Sequence, residues 1–259
     1  MGHRIVLAAI ACAGLTVALT ACSYTTQATS GREYLRSYAQ DAGPKAAPMS
    51  KALVEAASVE PLLRFPARIG IARLGPGGLV GIPGEEAAAW QKVAESLGPR
   101  FGTFVPVSPL IAEMVAGGSA FHPSAREAVE KIRLAAARQH LDAVVIYESE
   151  GTADSRDNPL SIAEWTLIGA FILPSQDVKA RGVAQAMLVD VRNAYPYGTA
   201  QAEADDETST ARFSQRSSER DLAEMVRLNA VKNLAPEVEK MIRDLRTDLA
   251  EARERRGRR

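Results

Sequence analysis

The sequence predicts an α/β chain of the α+β type: one mixed β-sheet, helices packed on it, and a long C-terminal helix. Three observations lead there. Residues 141–147 (LDAVVIY) are a short, β-branched apolar run, as expected of a strand buried on both faces. Before that run, strand patterns alternate with helical ones; after it, strand patterns follow one another directly. Residues 217–256 form the longest helical stretch, with Val238, Met241, Ile242, Leu245 and Leu249 repeating at helical spacing.

The elements follow in order. Residues 23–49 are rich in Ser, Thr, Gln, Ala, Gly and Pro and read as a spacer. Within it, 33–40 can form a short helix whose Tyr34, Leu35 and Tyr38 dock on the domain, the alternative being a partner-binding segment. Residues 50–59 read as a second short helix ending before Pro61. Residues 68–74 alternate apolar with small or polar side chains and read as the first strand. Residues 75–84 are a Gly/Pro loop. Residues 85–97 form a helix with Trp90, Val93 and Leu97 on one face and Gly98 as its stop. Residues 104–107 are a short strand. Ser108 and Pro109 then open a helix over 110–116, as N-cap and first helical residue. Ser124 and Glu127 fit a capping box for a helix reaching about Gln139, and Glu127 and Lys131 have the spacing of an ion pair on its wet face. Residues 151–161 read as a polar loop, 165–173 and 183–191 as strands, and 197–204 as a strand pairing back in a hairpin. Pro236 is expected to kink or restart the last helix.

Composition limits the function. The 259 residues hold 31 Lys+Arg against 31 Asp+Glu, so the basic excess of a nucleic-acid binder is missing. Apolar residues make up 46% of the chain, enough for a packed core. Two cysteines exclude a disulfide scaffold and a Cys-based zinc or iron–sulfur site. Three histidines, at 3, 122 and 140, leave little for a His-based metal site, and no cofactor is expected.

The N-terminus is the most informative segment. A short basic start (His3, Arg4) precedes an apolar run over 5–18, too short to cross a bilayer comfortably but the length of a secretory h-region. Leu19, Thr20, Ala21 and Cys22 follow. This arrangement resembles the lipobox of bacterial lipoproteins. The resemblance implies cleavage between Ala21 and Cys22, a diacylglyceryl group on the Cys22 sulfur and an acylated amine. Two or more chains give stable anchoring. Ser23, a residue other than Asp after the cysteine, implies the outer membrane with the body facing the periplasm; the alternative is the outer leaflet of the inner membrane. Cys12 lies in the removed segment. The expected organisation is a signal peptide (1–21), a lipidated flexible tether (22–49), a periplasmic α/β domain (50–235) and a C-terminal helical extension (236–259).

The folded part resembles a group of envelope lipoproteins: the curli-secretion lipoprotein, the activators of penicillin-binding proteins, and the N-terminal domain of the Tol-system propeller protein. The stretches that carry it are 67–74, 104–114 (FVPVSPLIAEM), 141–147, 186–192 (AMLVDVR) and 230–234 (AVKNL). Residues 162–174 (IAEWTLIGAFILP) also look like a segment of rhombotarget lipoproteins, a family without an assigned activity. The resemblance is architectural and implies fold more than function.

Candidate chemistry is sparse. The glycines of the 75–84 loop lack G-x-G-x-x-G spacing, and Pro76 and Pro83 remove amides that a phosphate cradle would use. His122 and His140 lack a companion motif such as G-x-S-x-G and read as structural. Asp154 with Asp157, and Asp205, Asp206 and Glu207, do not have EF-hand spacing and read as solvated loop acids. Tyr195 and Tyr197 are the candidate partner surface on an exposed hairpin edge. The Arg-rich C-terminus reads as a solvated helix end supported by the pair Glu251–Arg255, the alternative being contact with an anionic surface such as lipopolysaccharide or peptidoglycan. These residues point to a non-enzymatic, membrane-anchored protein whose domain binds another envelope protein. The alternatives are a subunit of an oligomeric secretion complex and, less favoured, an envelope hydrolase.

Overall fold

The computed structural model describes residues 24–41, 49–116, 124–153, 180–206 and 217–258, excepting the side chains of 206 and 217–219. The strand expected at 165–173 lies outside them. Seven strands form one mixed sheet: β1 (Tyr24–Thr26), β2 (Ala67–Gly75), β3 (Gly78–Val80), β4 (Gly102–Pro106), β5 (Ala143–Thr152), β6 (Ala180–Asp190) and β7 (Pro196–Asp206). Their order is β1-β7-β6-β5-β2-β3, with β4 beside β3 on the outer edge of β2. Strands β4, β2 and β5 are parallel, while β6, β7 and β1 continue the sheet antiparallel. Among the described residues the helices are α1 (Gly31–Asp41), α2 (Lys51–Ala57), α3 (Gly84–Leu97), α4 (Pro109–Ala116), α5 (Ala125–Arg138) and α6 (Ser217–Gly257).

Helices cover both faces. Ile69 and Ile71 of β2 and Ala143, Val145 and Tyr147 of β5 point to one side, where they meet Trp90, Val93 and Leu97 of α3 and the apolar stripe of α6. Ala72, Leu74, Val144 and Ile146 point to the other, onto Ala112 of α4 and Ala128, Ile132, Ala135 and Ala136 of α5. Strand β5 is therefore apolar at consecutive positions because both of its faces are buried.

Local chemistry sets the helix ends. Ser124 Oγ accepts from the Glu127 amide, and the Glu127 carboxylate accepts from the Ser124 amide, closing the expected capping box. Glu127 is thereby occupied, and Lys131 pairs with Glu113 of α4 at 2.5 Å rather than with Glu127. At the other end of α5, His140 takes a left-handed φ of 57°. Its amide donates to the Ala137 carbonyl and that of Leu141 to the Ala136 carbonyl, a Schellman ending with histidine where glycine is usual.

Four sequence expectations are corrected. The Gly/Pro loop at 75–84 folds back as β3, turning at Gly77 and Gly78 with φ of 88° and 118°. Strand β5 runs on through Gly151 and Thr152, because β6 pairs with it to Arg181. The segment read as a flexible tether contributes β1, paired Tyr24↔Ala200 to Thr26↔Gly198, as well as α1. Pro236 lies within one helix, Ser217–Gly257, and the region after it is not an appended extension. Buried Leu234, Ala235, Val238, Met241 and Ile242 seat the chain on the sheet on both sides of the missing donor. No helix among the described residues is long and apolar enough to cross a membrane.

Candidate functional site

Ala21 and Cys22 lie outside the described residues, as do His122, Asp154, Asp157 and Glu207. The description begins two positions after the cysteine, at Tyr24, whose hydroxyl donates to Asp244 of α6 at 2.6 Å. Thr26 donates to Asp248 at the same distance. The chain leaving Cys22 thus enters the sheet after a single intervening residue.

Tyr195 and Tyr197 do not form the exposed surface expected of them. Tyr197 is fully buried and Tyr195 nearly so. The register between β6 and β7 shifts at Leu188/Val189, leaving Tyr197 as an extra residue that the bulge turns into the core. Its hydroxyl accepts from the amides of Leu62 (3.0 Å) and Leu63 (2.7 Å) and donates to Asp190 at 2.7 Å. Tyr195 donates to the Thr29 carbonyl at 2.8 Å. Burial pushes the Tyr195 phenol up to about 12. Burial and the Asp190 carboxylate push that of Tyr197 further. These tyrosines fasten the segments before β2 to the sheet.

The exposed aromatics lie next to them. Tyr34 and Tyr38 of α1, Leu53 and Val54 of α2, and Leu62 are solvent-exposed. A cleft of about 470 Å³ lies between α1, α2 and the β6–β7 turn, with Tyr34 and Leu53 on its walls and Tyr195 and Pro196 contributing to its lining. Tyrosine exposed at a concave surface is among the side chains that anchor protein partners. The helical spacing of Tyr34 and Tyr38 was visible in the sequence. Their exposure was not, because it depends on how α1 meets α2.

A second constellation, on the helical face shared by α3 and α6, had no sequence motif. Glu86 of α3 is fully buried beneath it. Its carboxylate accepts from the Tyr147 hydroxyl at 2.7 Å and from the Arg227 guanidinium. Arg73 Nε approaches it at 3.1 Å, an ion contact whose N–H is not aligned as a hydrogen bond. Arg227 also reaches Ser149 at 2.9 Å and Glu224 at 2.6 Å. Hydrogen bonding to Glu224, against the opposing effect of burial, and then to Glu86, holds the Arg227 guanidinium protonated beyond its ordinary range. Burial first, and then the Glu86 carboxylate, push the Tyr147 phenol well up. Two carboxylates face two guanidiniums, and both oxygens of Glu86 are taken by this chain's own donors. The set ties β2, β5, α3 and α6 together, and its chemistry is that of a closed ion cluster rather than of an acid–base pair.

No family model matches the chain, and no curated protein matches it. Among solved structures it is similar to the PelC dodecamer from Paraburkholderia phytofirmans, at 8% identity over 70% of this chain and 89% of that one, with a TM-score of 0.33. It is also similar to the hypothetical protein CT253 from Chlamydia trachomatis, at 12% identity over 68% and 98%, with a TM-score of 0.32. A third is lipoprotein GNA1162 from Neisseria meningitidis, at 13% identity over 56% and 85%, with a TM-score of 0.30. None of these likenesses assigns a family or an activity to this chain.

Proposed function

We propose that this chain is a bacterial envelope lipoprotein, held by acyl chains on Cys22 at the periplasmic side of the outer membrane, and that its domain works without catalysis by binding another envelope protein. The observation that carries this reading is the N-terminal sequence itself: basic start, short apolar run, then Leu19-Thr20-Ala21-Cys22. The order of the chain agrees with it, since Tyr24, two residues after Cys22, already pairs in the sheet. The exposed side chains around the α1–α2 cleft supply the partner surface, with Tyr34 as its anchor and Leu53 beside it.

Fractionation of cells expressing the native chain and Cys22→Ser tests the reading. Native protein is expected in the membrane fraction, with an N-terminal peptide whose mass carries acyl chains on Cys22, and a photocrosslinker at position 34 is expected to give one discrete adduct. Cys22→Ser is expected to lose the acyl mass and the adduct. An unmodified Cys22 in native material, or a smear of unrelated adducts from position 34, overturns it.

A further inference from the structure

The second half of α6 is charged on two flanks, and the two are used differently. On the flank toward β1, Asp244 and Asp248 take the hydroxyls of Tyr24 and Thr26. On the opposite flank lies Phe101, buried just before β4 and packed edge-on against Phe65 at 5.7 Å. Three guanidiniums surround its ring: Arg100 at 5.3 Å, Arg243 at 5.6 Å and Arg246 at 5.1 Å from the centroid. The same surface continues along the helix to Arg253, whose guanidinium donates to the Leu63 carbonyl next to Arg64. Burial lowers the pKa of Arg253, and the positive charges of Arg64 and Arg256 lower it further, so these groups sense one another.

Charge balance within this surface is incomplete. Arg243 is answered by Glu239 at 2.6 Å, and Arg256 approaches Glu60 at 3.9 Å. Arg64, Arg100, Arg246 and Arg253 pair with no carboxylate among the described residues. In a chain with no net charge, the uncompensated Arg100 and Arg246 over the Phe101 ring, with Arg64 beside Phe65 and Arg253 further along the same flank of α6, form a positive patch.

Position supplies the occupant. Cys22 is two residues from Tyr24, at most about 7 Å of chain. Tyr24 is bonded to Asp244, between the two arginines at 243 and 246 that face Phe101. A helix with its side chains is about 10–12 Å across. Tyr24, two residues from the lipid attachment point, and the arginine patch therefore flank the same turns of α6.

We propose that the arginine patch around Phe101 is a membrane-contact surface that binds the phosphate headgroups of an anionic bilayer and lays the second half of α6 along it. This deepens the proposed anchoring by giving it a second, electrostatic attachment. Acyl chains hold one flank of the helix and headgroup phosphates the other, with guanidinium forks suited to phosphate oxygens. The attachment is sensitive to salt, because surface charges are screened over about a Debye length of 10 Å at ordinary ionic strength.

The test uses the full chain carrying Cys22→Ser, which cannot be acylated, so it is decided apart from the mass of native Cys22. Cosedimentation is measured with vesicles of phosphatidylcholine, with and without phosphatidylglycerol, at low and high salt. Binding is expected only to the phosphatidylglycerol vesicles and is expected to fade at high salt. Arg100→Gln and Arg246→Gln are each expected to weaken it about five-fold, and the pair together about twenty-fold. Arg246→Lys, which keeps the charge, is expected to retain most of it. Arg255→Gln with Arg258→Gln, a pair already answered by Glu251 and Glu254, is expected to change binding less than about two-fold. Equal binding to both vesicle types, equal loss from the two double variants, or no vesicle binding at low salt overturns the proposal. Tight binding of inorganic phosphate without vesicle binding also overturns it.

Discussion

Arg227 and Arg246 belong to the same helix and carry the same group, yet their surroundings make them opposites. Arg227 is almost fully buried and is met by Glu86, Glu224 and Ser149. Arg246 is exposed, lies over the Phe101 ring and has no carboxylate partner among the described residues. The first cluster is closed, with each charge answered inside the protein. The second is open, with positive charge left for something outside. A buried ion cluster holds elements in place and is costly to interrupt, whereas an exposed cluster of one sign adds little to stability.

Breaking the closed cluster is expected to have the largest effect. Glu86→Gln leaves Arg73 and Arg227 facing a neutral amide in a dry site and should cost about 3–5 kcal/mol in urea unfolding. A cost below about 1 kcal/mol would show that water reaches the cluster and that the contrast is overstated.

Alkaline pH attacks the same region by another route. Tyr147, Tyr195 and Tyr197 all have phenols raised above the ordinary value of 10.0. For an acid whose folded pKa is raised, the folded state keeps a proton that the unfolded state releases. Stability is therefore full below pH ~10 and falls as pH climbs above it, by about 1.4 kcal/mol per pH unit for each such tyrosine. The loss from Tyr195 levels off near its folded value of about 12. Melting temperature is expected to fall steadily as pH is raised from about 10 to 12; a melting temperature that stays level over that range would contradict the buried hydrogen bonds.

The open cluster should give the smallest stability change. Arg100→Gln and Arg246→Gln are expected to shift unfolding free energy by no more than about 0.5 kcal/mol each. Like charges are relieved and no buried partner is abandoned. A larger loss would mean that these guanidiniums hold Phe101 in place, which would make the patch part of the scaffold.

Periodicity carried much of the fold. The apolar run at 141–147, the capping box at Ser124 and Glu127, the stop at Gly98 and the hairpin of β6 and β7 were legible because each depends on neighbouring residues. What was not legible depends on distant ones. Tyr197 reads as an exposed turn residue until the bulge opposite Leu188 and Val189 turns it inward. Residues 24–26 read as spacer because three residues carry no period, and only the free edge of β7 makes them a strand. Glu86 looks like a solvated first-turn acid beside Glu85; its burial comes from Arg73 and Arg227, which reach it from other elements. Arg64, Arg100, Arg246 and Arg253 are scattered over nearly 200 positions, and only the sheet and α6 gather them.

Two glycines decide how α6 can lie. At Gly151 of β5 and Gly182 of β6, a Cβ would sit 1.9 Å from the Ala223 carbonyl and 2.0 Å from that of Val226. The backbone of the helix rests directly on the backbone of the strands there, with no side chain between to act as a bearing. Such a seat keys the helix against rolling about its axis. A rigid rod that cannot roll at one end presents a set azimuth at the other, about 40 Å further along at Arg253. The absence of two methyl groups thus sets the roll of the helix at its first half, and buried Leu245, Leu249 and Ala252 carry the same azimuth on to the guanidiniums.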